Sequence, residues 1–560
     1  MRFSSRSKMS ILLSLVTIVA IISAFMVTAV FRGQASHAAS AGSMPMKGTA
    51  TKATAADMSK LPKGTGTASI QPHQASFNVN RHQSNGQASV RGGEPNAHAT
   101  SLSNSNIGKL QENFNGASSH DSASVNGFDL EPPDQGLCVG GGFVIEPINL
   151  TLRVYDRHGT VVTGPFALNT IFGESSSEFL SDPRCYFDPS TKTFFLTILA
   201  IDSNGKHSHT DVGVLPLSTG TVATYHFDTT DAGNVAGGCP CFGDQPLLGI
   251  DAFNIYVSSN EFSINKPNFD GAEVYAISKS QLAAEASTVH FVVFPHLSDG
   301  GALIETLQPA ITNSPSDAEY LMHSFTVDAS GNNNAIDHRL GIFAITNQRA
   351  VAAGGFPTLS SPTIITSETY AQPNLASNPN GNVLNADDDR LQQLQFINGV
   401  LWSALDTAVI IHGDATRDGA AWFEVHPSLS GLHVNATILD QGYLAVAGAY
   451  LLYPAITQSK DRTVGMVFSI TSSTINPSAA YAIRPAAAHA SFGSIHVAAS
   501  GNGPDTGFTC GGPSGPCRWG DYSAAVLSGT NIWMATEYIP PVSSQSTFAN
   551  WGTRVFEVTA

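Results

Sequence analysis

The chain has 560 residues, a net charge of −16, 42% hydrophobic but only 12% charged residues, and 51 glycines and 30 prolines. Arginine and lysine occur as singlets against an acidic background, which leaves a nucleic acid no basic stripe to bind. Helix-period stretches are scarce, and a chain of this length splits into several domains unless it grows by repeats around one body.

At the N-terminus, Arg2, Arg6 and Lys8 precede an uncharged, mostly apolar stretch over 11–31, followed by Arg32 and a small-residue series over 35–39. Residues 1–39 therefore read as a signal peptide cleaved near Ala38 or Ala39. The apolar stretch is also just long enough to span a bilayer, so an uncleaved N-terminal membrane anchor competes with cleavage. Under either reading the basic start stays in the cytoplasm and the remainder is exported, with membrane contact only through this segment. Without its four basic residues the net charge becomes about −20.

Residues 40–105 are dominated by Ser, Thr, Ala, Gly, Asn and Gln, and Phe77 is their only aromatic residue. Such a segment cannot bury enough surface to offset its ordering entropy and is expected to be a disordered linker. Folded sequence is expected over 106–560.

Within 106–560 one phrase returns: a polar or acidic residue, a small or proline step, then an apolar strand. It stands at 133–136, 181–184, 243–246, 307–310, 388–391, 452–455 and 519–522, with spacings from 48 (Asp134 to Asp182) to 81 residues (Gln308 to Asp389). A second phrase, expected to mark an outer strand, lies between successive copies at 153–156, 213–216, 273–276, 341–344, 422–425 and 554–557. In the sixth unit its candidates are 467–470 and 481–483. Seven strand-rich units in phase predict an all-β, seven-bladed β-propeller; an array of two-sheet sandwiches is the competing architecture. Runs such as 193–199 and 254–257 suit strands buried on both faces, and Ser278 to Glu285 is the best helical segment.

Six cysteines in an exported chain point to disulfides. Cys510 and Cys517 bracket a turn-rich loop and are paired. Cys138 and Cys185 follow Asp134 and Asp182 at similar offsets, which makes a bond between neighbouring units plausible. Cys239 and Cys241 are one residue apart, so a strained mutual bond, free thiols and pairing elsewhere stay open. Zinc has no CxxC or HExxH spacing to support it.

In a propeller the innermost strands line a central channel, so the recurrent phrase places Asp134, Asp182, Arg184, Asp244, Asp389, Arg390, Tyr453, Arg518 and Asp521 near one mouth, together with Gln308 and Asp388. These groups serve either as structural acceptors of backbone N–H groups or as a ligand or cation site. Glu261, Asp406 and Glu537 form a second layer of acids on the following strands. No cofactor is required, though calcium suits such carboxylates. His207 and His209 read as an exposed hairpin tip, and Asp328 to Asn334 as a turn. Asn149 and Asn435 begin glycosylation sequons. No G-x-S-x-G elbow, phosphate loop or dinucleotide fingerprint occurs.

The residues 113–116, 131–140, 153–159, 181–188, 518–523 and 550–554 carry a resemblance. They resemble a group of secreted bacterial seven-bladed β-propeller proteins of largely uncharacterised function, distantly sialidase-like in fold at most. The resemblance implies the fold and export and brings no catalytic residue. The expected function is an exported binding or recognition module for a carbohydrate or protein ligand. The alternative is an extracellular, sialidase-like glycoside hydrolase working through the channel acids, although the Ser-x-Asp-x-Gly-x-x-Trp box of sialidases is absent.

Overall fold

Apolar runs punctuated by glycine, proline and asparagine turns fold here into short antiparallel strands, four to a meander. The computed structural model describes residues 44–64, 94–103, 110–230, 239–265, 269–325, 336–510 and 515–559, all in the unit Ala41–Ala560. The expected signal segment, most of the expected linker, and the Asp328 to Asn334 turn lie outside the described residues.

The first meander is Cys138–Gly140, Phe143–Ile148, Thr151–Asp156 and Val161–Ala167. The second is Phe179–Asp188, Thr193–Ile201, Ser208–Pro216 and Thr221–Asp228, and the third is Cys241–Ile250, Asn254–Ser263, Phe269–Ser278 and Thr288–Asp299. A fourth runs through Gln308–Pro309, Glu319–Ser324, Ile336–Thr346 and Thr363–Ala371. The fifth comprises Leu391–Ile397, Val400–Ile411, Arg417–Ser430 and His433–Leu444; the sixth comprises Tyr450–Gln458, Val464–Thr471, Ser478–Arg484 and Ile495–Ala499. The last has three C-terminal strands, Ala524–Ser528, Asn531–Tyr538 and Gly552–Val558, and takes its outermost strand, Leu110–Ser118, from the N-terminal side. Phe114 faces Val555 across that antiparallel pair, so the two ends of the folded chain close the ring.

Buried side chains show the same circular order. One hydrophobic cluster joins the first and second meanders, and others join each successive pair. A further cluster, with Val144, Tyr155, Trp533 and Val555, joins the last meander back to the first. Each sheet is thus covered on both faces by its neighbours, the packing of a β-propeller, and strands such as Thr193–Ile201 are buried along their whole length. Neighbouring innermost strands run parallel where they touch, as at Ile250 and Ile311.

The second phrase marks an outer strand as expected, the third of each meander: Tyr155 lies in Thr151–Asp156, and Phe343 in Ile336–Thr346. Tyr481 supplies the sixth copy in Ser478–Arg484. Part of the expected linker is ordered, because Met46–Asp57 forms a strand that pairs on one side with Thr221–Asp228 and on the other with Thr288–Asp299. Two sheet edges supply the hydrogen-bond partners that this alanine- and threonine-rich segment cannot supply for itself. The short helix Lys279–Ala283 falls inside the expected 278–285 segment.

All three cysteine pairs are bonded: Cys138 with Cys185, Cys239 with Cys241, and Cys510 with Cys517. The first ties the innermost strands of two neighbouring meanders. The open question at Cys239 and Cys241 resolves to a mutual bond.

Candidate functional site at the axis

The recurrent phrase has a backbone cause. Near each innermost strand's start one residue sits in the left-handed region: Asp134 (φ 42°), Asp182 (58°), Gln245 (50°), Thr306 (57°), Asp387 (52°), Tyr453 (55°) and Gly520 (32°). The pairing register slips beside three of these kinks, at Thr197/Leu199, Asp244/Leu247 and Leu452/Ala455, so at these three the phrase is a β-bulge. Proline follows the kink in Pro183, Pro246 and Pro454, where no ladder N–H is required of it.

At three of these kinks the backbone N–H turns away from its own sheet, and a side chain on the preceding meander accepts it. Asn149 Oδ1 accepts from Asp182 N at 2.8 Å, and Asn260 Oδ1 from Thr306 N at 2.7 Å. Both carboxylate oxygens of Asp406 accept from Tyr453 N, at 3.0 and 2.9 Å. Asp406, expected as a second-layer acid, therefore joins meanders five and six. The Asn149 amide also donates to Asp134 Oδ2 at 2.6 Å and the residue is buried, so this sequon asparagine is taken up by the interior.

The predicted channel residues form two groups. In the first, ligand-capable oxygens of Asp134, Asp182 and Asp521 lie within 4.8 Å of one another. Arg518 Nη2 donates to Asp521 Oδ1 at 3.2 Å, and the Arg184 guanidinium stacks on the Tyr522 ring at 3.3 Å. Burial, followed by the charges of Asp521 and Asp182, holds the Asp134 carboxyl well above the ordinary carboxylate range. These three carboxylates are where a calcium ion would be held, in competition with the two arginines for the same negative charge.

The second group surrounds Arg390. Its Nε donates to Asp388 Oδ1 at 2.7 Å and its Nη1 to Gln245 Oε1 at 2.6 Å, while Nη2 also meets Asp387 Oδ2 at 3.3 Å and Glu305 Oε1 at 4.0 Å. Burial pushes the Glu305 carboxyl up to about 8 despite the opposing pull of Arg390. Tyr453 stands between the groups: its hydroxyl donates to Asn385 O at 3.1 Å, and burial, then Asp387 and Asp521, raise its phenol.

The remaining predicted residues lie elsewhere. Asp389 is wholly buried, and its backbone carbonyl accepts from Ser324 Oγ at 3.0 Å. Asp244 is opposite Asn260 in the third meander. Glu261 accepts from Ser259 Oγ at 2.8 Å and lies beside Glu273; burial raises both carboxyls, Glu261 to about 8. Burial and the charges of Asp505, Asp134 and Glu131 raise Glu537.

Sequence reasoning missed Glu131, Glu273, Glu305, Asp387 and Asp505. Glu131 is raised to about 8 by burial and by Asp505, and its Oε2 accepts from Thr509 Oγ1 at 2.8 Å. Asp387 stands beside the recurrent phrase, Glu273 opens a copy of the second phrase and Glu131 opens the segment 131–140, while Glu305 and Asp505 carried no signal. At this end of the ring connector 372–390 meets the described residues 500–510 and 515–523: Asn378 Nδ2 donates to Asp505 O at 2.9 Å, and Asn385 N to Cys517 O at 2.9 Å. Beneath them an axial cavity of about 40 Å³, lined by Gly136, Arg184, Gln308, Gln392 and Val526 among others, has room for a few waters only.

No family model matches the chain, and no curated protein matches it. Among solved structures it is similar to the phage phi92 endosialidase, at 8% identity over 80% of this chain and 68% of that one, with a TM-score of 0.36. It is also similar to a Penicillium chrysogenum α-L-arabinanase, at 8% identity over 80% and 98% of the two chains (TM-score 0.32), and to the GH93 α-L-arabinofuranosidase of Fusarium graminearum, at 8% over 80% and 98% (TM-score 0.34). No residue role is taken from superpositions this loose.

Proposed function

We propose that the protein is an exported, seven-bladed β-propeller acting as a binding or recognition module at the cell surface or in the medium, with a carbohydrate or protein ligand taken on its loop surface. The supporting observation is the sealing of the axis. Asp134 and Asp182 are each 1% exposed, Asp521 2% and Arg390 4%, and the connectors that carry Arg390 and Asp521 are bonded to one another. A sugar held across two catalytic carboxyls needs open space between them. Acids that anchor the kinks of neighbouring sheets serve the architecture instead. Three disulfides suit an extracellular setting.

Glycoside hydrolysis remains the second reading, favoured by one feature: Glu131 is half-buried beside Asp505 and keeps its proton to about pH 8, as a general acid must. Against a sialidase-like clamp, Arg390 belongs to a different group from Arg184 and Arg518. A glycan array and a glycosidase-substrate screen, run with and without calcium on the native protein and on Asp244→Asn/Asp521→Asn and Glu131→Gln variants, distinguish the two. Binding without turnover, unchanged in the variants, supports the recognition module; turnover abolished in either variant establishes the hydrolase.

A further inference from the structure

Away from the axis, a compact set of metal-ligating side chains stands on one face of the second meander. His209 and Asp211 alternate along Ser208–Pro216 and so point to the same side of the sheet. His226, on the adjoining strand Thr221–Asp228, lies directly opposite Asp211 in the pairing register. Glu174 comes from the connector that follows the short helix Leu168–Phe172 and reaches the same point. Of the expected exposed hairpin tip only His207 is exposed; Ser208 is buried, and His209 is within the sheet.

The geometry is that of a coordination shell. His226 Nδ1 is 2.8 Å from Asp211 Oδ1 and 3.2 Å from Glu174 Oε1; His209 Nε2 is 3.6 Å from Asp211 Oδ1 and 3.8 Å from Glu174 Oε1. A tetrahedral ion with bonds of 2.0–2.1 Å separates its ligand atoms by about 3.3 Å, in the middle of these distances. The imidazole rings stack 4.8 Å apart and 8° from parallel, which turns one nitrogen of each toward the carboxylates. Asp211 is fully buried, with His226 Nδ1 against its Oδ1 and the Glu174 carboxylate beside it. Gathering two carboxylates at one enclosed point is costly unless their charge is paired. A cation between them and the imidazoles supplies that pairing.

We propose that Glu174, His209, Asp211 and His226 bind a divalent transition-metal ion of the zinc class. Two imidazole nitrogens and two carboxylate oxygens suit zinc better than calcium, which takes oxygen ligands only. Four protein ligands make a closed, structural site. The ion clips the connector after Leu168–Phe172 to the two outer strands of the second meander.

The test uses the full chain without a polyhistidine tag, equilibrated with zinc chloride and passed through metal-free buffer before elemental analysis. About one zinc per chain is expected in the native protein and almost none in His209→Ala/His226→Ala. Glu174→Gln, a gentler change, should weaken zinc binding at least about tenfold while leaving the far-ultraviolet circular dichroism unchanged. Zinc should raise the native protein's melting temperature, EDTA should reverse the rise, and the zinc X-ray absorption spectrum should show two imidazole ligands. Native protein that retains no stoichiometric zinc, or variants that retain as much as native, would overturn the site. Should the double variant fail to fold, Glu174→Gln and the absorption spectrum decide alone.

Discussion

Replacing Glu305 by glutamine tests the electrostatics of the axis directly. Glu305 is buried, 4.0 Å from Arg390, and burial moves its carboxyl from an ordinary 4.5 to about 8. Between those values the folded chain holds a proton that the unfolded chain releases. The stabilisation from this proton is thus complete below about pH 4.5, declines as pH rises, and is gone above about pH 8. At roughly 1.4 kcal/mol per pH unit the whole effect is up to about 5 kcal/mol. Glutamine is neutral throughout and lacks this dependence. The Glu305→Gln variant should match the native protein near pH 4.5 and exceed it in stability by several kcal/mol at pH 8.5. Urea unfolding followed by tryptophan fluorescence at both pH values measures the gap. A gap that stays within about 0.5 kcal/mol between the two would refute the assignment of a buried, protonated Glu305.

Two further outcomes follow from the framework. Cys138→Ser/Cys185→Ser opens a loop of 47 residues' separation between neighbouring meanders and should cost about 4 kcal/mol, whereas Cys510→Ser/Cys517→Ser, with a separation of 7, should cost about 2.5 kcal/mol; chemical unfolding of both under non-reducing conditions gives the order. Asp406→Ala strands the buried Tyr453 N–H and should cost about 1–3 kcal/mol, while Asp406→Asn keeps an acceptor and should cost less; equal losses measured by thermal melting would show that the link between meanders is not what Asp406 contributes.

Much of the fold was legible in the residues. Alternating apolar positions, turn chemistry and the spacing of a repeated phrase are local signals, and they lead to strands and to their grouping. The pairing of Cys510 with Cys517 was equally local, because one loop brackets both. Less of the candidate site could be read. The acids of the phrase were found because the phrase repeats and brings Asp134, Asp182 and Asp521 together, but Arg390 gathers Asp387, Asp388 and Glu305, two of which carried no mark of their own. The burial of these acids depends on connectors distant from one another in the chain, joined where Asn378 donates to Asp505 O and Asn385 N to Cys517 O.

By itself the sequence determined an all-β chain of repeating strand-rich units, because side-chain periodicity and backbone turns are decided within a few residues of one another. Beyond the Cys138–Cys185 bond, tertiary structure decided what joins those units. The N-terminal strand Leu110–Ser118 seals the last sheet against Gly552–Val558, and Met46–Asp57 bridges two outer edges. Asn149, Asn260 and Asp406 each satisfy a kink in the next meander, and Glu174 meets His226 across a sheet. Each of these contacts depends on where closure of the ring brings groups distant in the chain, and no local pattern encodes that distance.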